Sequence, residues 1–104
     1  MNIQFKKGVL ELCVLSMLIR RDQYGYELAS TLSETIQIAD GTIYPILRKL
    51  ASDGQVTTYL QESSEGPPRK YYAVTPAGRQ THQALLAEWQ QFIQHVHVIT
   101  GGDL

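Results

Sequence analysis

The chain has 104 residues, with nine Lys or Arg against ten Asp or Glu, a formal net charge of −1 and a pI near 6.3. That length fits one domain. With 43% hydrophobic and 18% charged residues, the composition excludes a disordered or fibrous chain, and no apolar run reaches the roughly 18 residues of a membrane span. The single cysteine, Cys13, excludes an internal disulfide and fits a reducing, cytoplasmic setting.

Residues 6–21 read as a first helix. Val9, Leu10, Leu12, Cys13, Val14, Leu15, Met17, Leu18 and Ile19 cover nearly its whole circumference, and a helix apolar all round is buried on more than one side. In so small a chain the second side is expected to meet another subunit. Residues 24–34 read as a second helix, with Tyr24, Leu28 and Leu32 four apart. A short connection, 35–40, follows.

The third helix is expected over 43–53, with Thr42 as N-cap and Gly54 as the stop. Pro45 then falls on the third helical position, where N–H groups have no intrahelical acceptor and a proline costs little. Ile43, Ile46, Leu47 and Leu50 form its inward face; Tyr44, Arg48, Lys49 and Ser52 look outward. Residues 55–61 and 70–75 are rich in Val, Thr and Tyr and read as two strands. Glu62 to Arg69 between them reads as a turn-forming loop.

Thr75-Pro76 opens a fourth helix, with a threonine N-cap and proline at the first position. It runs to about Ile99. Leu85, Trp89, Phe92, Val96 and Ile99 are spaced four, three, four, three, a heptad-like dimerisation seam widened by Leu86 and Ile93. Gly101-Gly102 ends it.

Helix, helix, helix, hairpin, helix is the order of a mainly α (α+β) winged helix-turn-helix: three N-terminal helices, a two-stranded β-hairpin wing and one long C-terminal dimerisation helix. Residues 1–75 are expected to form the DNA-binding unit, and 76–104 the dimerisation helix and a short tail, packed as one compact body. The third helix would enter the major groove of double-stranded DNA, where base edges carry a distinct hydrogen-bond code. The wing tip would reach an adjacent backbone. The charge is unevenly spread: Arg69, Lys70 and Arg79 lie in 69–82 without an acid, and Glu27, Glu34 and Asp40 in 23–41 without a cation. Local charge of this kind, not the total, decides where a polyanion lands. The expected DNA-contacting set is Tyr26, Thr42, Tyr44, Pro45, Arg48, Lys49, Arg69 and Lys70.

Gly25-Tyr26-Glu27-Leu28, then 41–50 (GTIYPILRKL), Asp53-Gly54, 68–72 (PRKYY) and 75–78 (TPAG) stand in order along the chain. In this set the sequence resembles the PadR family of transcriptional regulators, over roughly residues 7–89. The resemblance implies a dimeric winged-helix protein that binds a palindromic promoter site, usually as a repressor. The short tail is similar to the subgroup with a single C-terminal helix. Some short PadR-like repressors sense drugs between subunits with a tryptophan on that helix. Trp89 occupies the matching position, and Leu12, Ser16, Leu86, Ile93 and Val96 would surround a small aromatic or hydrophobic effector. Where those repressors carry a carboxylate one turn after the tryptophan this chain has Ile93, which argues against recognition of cationic drugs by the same means.

Other chemistries find little support. His95 and His97 are two apart and point to different sides of a helix, so neither a metal site nor another cofactor is expected. No nucleophile–base pair or phosphate-cradling loop is legible, so the chain is not read as an enzyme. The competing reading is a winged-helix protein-interaction module without DNA binding, kept open by the net acidity and by Glu62 and Glu65 beside the wing. Arg48 and Lys49 alone would be an ordinary solvated helix face.

Overall fold

Seven regular elements follow one another in a computed structural model that describes residues 3–102: α1 (Ile3–Arg20), β1 (Gln23–Tyr24), α2 (Gly25–Ile36), α3 (Ile43–Ser52), β2 (Val56–Ser63), β3 (Gly66–Val74) and α4 (Pro76–Ile99). A 3-10 turn, Asp40–Thr42, leads into α3. The outermost residues of the two expected units, 1–2 and 103–104, lie outside the described residues.

The core forms where the amphipathic faces converge. Leu10, Val14, Leu15 and Leu18 of α1 meet Leu28, Ala29 and Leu32 of α2 and Ile43, Ile46, Leu47 and Leu50 of α3, closed by Val56 and Tyr72 from the sheet. Each fully buried aliphatic side chain contributes about 1.5–3 kcal/mol relative to exposure. The inward face read for the third helix is the buried one, residue for residue. Val9, Cys13, Met17 and Ile19 on the rest of α1 are half-buried, so the all-round apolar helix does meet neighbours on more than one side. Burial pushes the Cys13 thiol above its ordinary value.

The wing differs from the expected hairpin. Gln23 and Tyr24 add a third strand, and the antiparallel sheet runs β1-β3-β2, with Gln23 opposite Tyr72 and Tyr24 opposite Tyr71. Two residues carry too little pattern to read as a strand. What places them is the buried Gln23, whose amide donates to the Met17 carbonyl at 3.0 Å and ties the sheet to the end of α1. The strands are also longer than expected. Gln61 pairs with Arg69 and Ser63 with Gly66, so Glu62 stands opposite Pro67 and Pro68 together. That bulge admits two residues that lack a ladder N–H, and β1 does not reach that part of β3. Only Ser64 and Glu65 remain as the tip.

The start of α3 is corrected in one respect. Thr42 is itself helical (φ −68°, ψ −30°) and its side chain makes no capping bond. The 3-10 turn runs straight into α3, with the Thr42 N–H donating to the Ala39 carbonyl at 3.0 Å. Before it, Gln37 closes α2 in the left-handed region at φ +62°, donating its N–H to the Ser33 carbonyl at 2.9 Å. Pro45 falls in the first turn of α3 as the sequence requires, and Gly54 follows the helix at φ +73°.

The threonine cap of α4 forms as read. Thr75 Oγ1 accepts the Gly78 N–H at 3.0 Å and lies 2.7 Å from the Gly54 carbonyl oxygen and 3.0 Å from that of Gln55. One hydroxyl thus joins the end of α3 to the start of α4. The helix then extends along α1, and the molecule measures 57 × 28 × 22 Å. Among the described residues no helix is long and apolar enough to cross a membrane.

Candidate nucleic-acid interface

On α3, burial of Ile43, Ile46, Leu47 and Leu50 leaves Thr42, Tyr44, Pro45, Arg48 and Lys49 on the solvent side. The 3.6-residue period makes this outcome obligatory once the inner face is chosen. The Tyr44 ring lies over the start of α2: a Cβ at Gly25 would sit 3.6 Å from Tyr44 Cε1 and 3.3 Å from Tyr72 Cε1. Glycine there lets α2, α3 and the sheet converge. Tyr26, the next residue, is 63% exposed. The structure therefore keeps Thr42, Tyr44, Pro45 and Arg48 together on the outer face of α3 and presents Tyr26 from the first turn of α2, its ring 6.3 Å from that of Tyr24.

Lys49 behaves differently. Its ammonium lies 2.9 Å from Glu11 Oε1 on α1 and 3.3 Å from Asp53 Oδ2 one turn on. The hydrogen bond to Glu11, then that to Asp53, hold its pKa above the ordinary lysine value. This cation, though exposed, is held by two carboxylates of its own chain.

Arg69 and Lys70 also part company. Adjacent strand residues point to opposite faces. Lys70 lies beside the Tyr72 ring, 5.6 Å from its centroid, on the face that turns inward to Gly25 and Tyr44. Arg69 lies on the reverse face, 4.7 Å over the Tyr24 ring. That face carries a row of tyrosines: Tyr26 to Tyr24 at 6.3 Å, Tyr24 to Tyr71 at 5.7 Å and Tyr71 to Tyr59 at 5.6 Å. The Tyr59 hydroxyl donates to Asp22 at 2.8 Å, which holds its proton more tightly than usual. Of the two wing cations, Lys70 lies on the Tyr72 face of β3, whose ring borders Gly25, and Arg69 on the Tyr24 and Tyr71 face.

The seam on α4 divides in two. Leu85 and Trp89 are half-buried along α1, whereas Phe92 (46% exposed), Val96 (42%) and Ile99 (81%) are open. Between α1 and α4 is a cavity of about 360 Å³, lined by Gly8, Val9, Leu12, Leu85, Glu88, Trp89 and Phe92. Of the expected effector set only Leu12 and Trp89 line it. Ser16 lies 2.9 Å from His82 Nε2 in a contact bridging the two helices. Leu86 is half-buried and Ile93 exposed, both displaced round α4 from the Leu85–Trp89–Phe92 line, while Val96 continues that line two turns beyond Trp89 and is exposed there. The sequence contained the signal that Leu85 and Phe92 share a stripe with Trp89, but not that α1 supplies the facing wall. Among the described residues no group of three or more His, Cys, Asp or Glu is placed to hold a metal ion.

The Transcriptional regulator PadR-like family matches this chain over residues 14–84. A solved Streptococcus transcriptional regulator superposes with a TM-score of 0.85 at 37% identity, covering 96% of this chain and 100% of that one. Bacillus subtilis PadR in complex with operator DNA gives a TM-score of 0.67 at 27% identity, over 75% of this chain and 46% of that one. A transcriptional regulator of Mycobacterium tuberculosis is 31% identical over 77 residues, 73% of this chain and 71% of that protein.

Proposed function

The chain belongs to the PadR-like family of transcriptional regulators, which are not enzymes, and from that premise we propose that it is a repressor binding a palindromic promoter site in double-stranded DNA as a homodimer. The observation that carries this reading is α3 itself. Its inner face is wholly buried, and Thr42, Tyr44, Pro45 and Arg48 stand together on its outer face. A helix seated on a core with polar, hydrogen-bonding side chains outward is what a major groove admits. Arg48 forks onto a guanine edge or a phosphate, Tyr26 and Lys70 hold backbone phosphates, and the wing lies along the flanking backbone.

The open stripe of Phe92, Ile93, Val96 and Ile99 on α4 supports the dimer. Exposed contiguous apolar surface of this kind marks an association face, and a second copy paired through α4 buries it. Pairing then fixes the separation of the two α3 copies near one DNA turn, about 34 Å. The cavity between α1 and α4 supports release by a small apolar effector stacked on Trp89. Occupancy there changes the angle between subunits and so the spacing of the recognition helices.

Selection of bound duplexes from a random pool tests the proposal. The expected product is an inverted repeat whose half-sites lie about one turn apart, with Arg48→Ala weakening binding to it by about 1–3 kcal/mol. Recovery of no enriched sequence, or Arg48→Ala binding like the parent, would sink it.

A further inference from the structure

The ion cluster between α1 and α3 has no part in the DNA contact just described, yet it lies at the end of the recognition helix. Glu11 is the one charged residue between Lys7 and Arg20 of α1, and its side chain is 17% exposed against 58% for Lys49. Lys49 reaches Glu11 at 2.9 Å and Asp53 at 3.3 Å. Two carboxylates share one ammonium, so the cluster carries a net −1. A phosphate that drew Lys49 away would leave Glu11 largely buried without its partner and would face two acids. Charge-assisted bonds of this length are stronger than neutral ones, and the raised proton affinity of Lys49 agrees with the engagement.

We infer that Glu11 is a specificity-determining positioning residue: it withholds Lys49 from the DNA backbone, so that α3 engages the duplex through its N-terminal half and gains little sequence-independent affinity. The inference rests on the DNA-binding reading above. It also gives the adjacent pair Arg48 and Lys49 different jobs. Arg48 faces the duplex, and Lys49 fastens α3 to α1, the helix that walls the α1–α4 cavity.

The test measures binding of the full-length chain to two duplexes of equal length, the selected site and a scrambled one, across a salt series. Glu11→Gln keeps the side-chain shape, removes the charge and leaves only a weak acceptor. The expected result is a salt slope on the scrambled duplex steeper by about 0.9 per protomer, with affinity there rising by up to roughly eightfold per protomer near 0.1 M salt. The ratio of selected to scrambled affinity falls accordingly. Lys49→Gln in the parent leaves the slope unchanged, and in the Glu11→Gln background restores the parental slope. A parental slope in Glu11→Gln, or a shallower one in Lys49→Gln alone, overturns the inference while leaving DNA binding intact. If Glu11→Gln does not fold by circular dichroism, Lys49→Gln alone decides by the same criterion. Binding of neither duplex by the parent removes the DNA-binding reading and this inference with it.

Discussion

Replacing Gly78 with Ala tests whether the start of α4 is clamped onto the end of α3. A Cβ at Gly78 would collide with the carbonyl oxygen of Gln55 and lie 2.8 Å from Val74 Cγ2. The obstacle is backbone, so it cannot rotate away. Alanine in a helix interior would otherwise gain roughly 0.5–1 kcal/mol over glycine. Against that stand overpacking, about 1–3 kcal/mol, and the Thr75 cap that a displaced helix surrenders, about 1 kcal/mol. The net expectation is a loss of about 1–3.5 kcal/mol. A mid-range loss of about 2 kcal/mol lowers the Tm of a domain this small by roughly 8–16 °C. Denaturant titration at fixed protein concentration reads it as a lower midpoint with an unchanged slope. Because α4 carries the association stripe, its displacement also weakens dimerisation. A Gly78→Ala protein as stable as the parent, or more so, would refute the account of how α4 is docked.

The wing cations should separate in mutagenesis. Lys70→Ala should lower the salt slope of DNA binding by about 0.9 per protomer, whereas Arg69→Ala, which loses its seat over Tyr24, should cost roughly 0.5–1 kcal/mol of stability and leave that slope unchanged. Val96→Glu places a charge in the open α4 stripe, and sedimentation velocity should show the dimer giving way to a single chain; a retained dimer would locate the interface elsewhere. Gln37→Gly relieves a left-handed residue, which costs roughly 1–2 kcal/mol for an L side chain, less the roughly 0.5–1 kcal/mol of glycine flexibility, so a small gain in thermal stability is expected. Cys13, whose thiol burial pushes above its ordinary value, should be alkylated more slowly in the native than in the unfolded chain at mildly alkaline pH. The shift also means that stability is unaffected below the free thiol's value and falls as pH rises from there through the raised native one, which a stability–pH profile of Cys13→Ala against the parent would reveal.

Much of this molecule was legible before any tertiary contact was considered. The four helices, the buried face of α3, the place of Pro45 in its first turn and the Thr75 cap depend on residues within a few positions of one another. Period, proline geometry and capping act at that range, so the order helix, helix, helix, hairpin, helix and the outward set Thr42, Tyr44 and Arg48 follow from the sequence alone. Contacts between distant residues set the rest. Lys49 looked like a twin of Arg48 until α1, 38 positions earlier, brought Glu11 against it. Arg69 and Lys70 are neighbours in the chain, but pairing of β3 with β1 gave one of them Tyr24 and left the other beside Tyr72 on the opposite face. The α4 seam reads as one stripe, yet α1 covers its first half and leaves its second open. A side chain's period tells which way it points, and only the docking of other elements tells what it meets there.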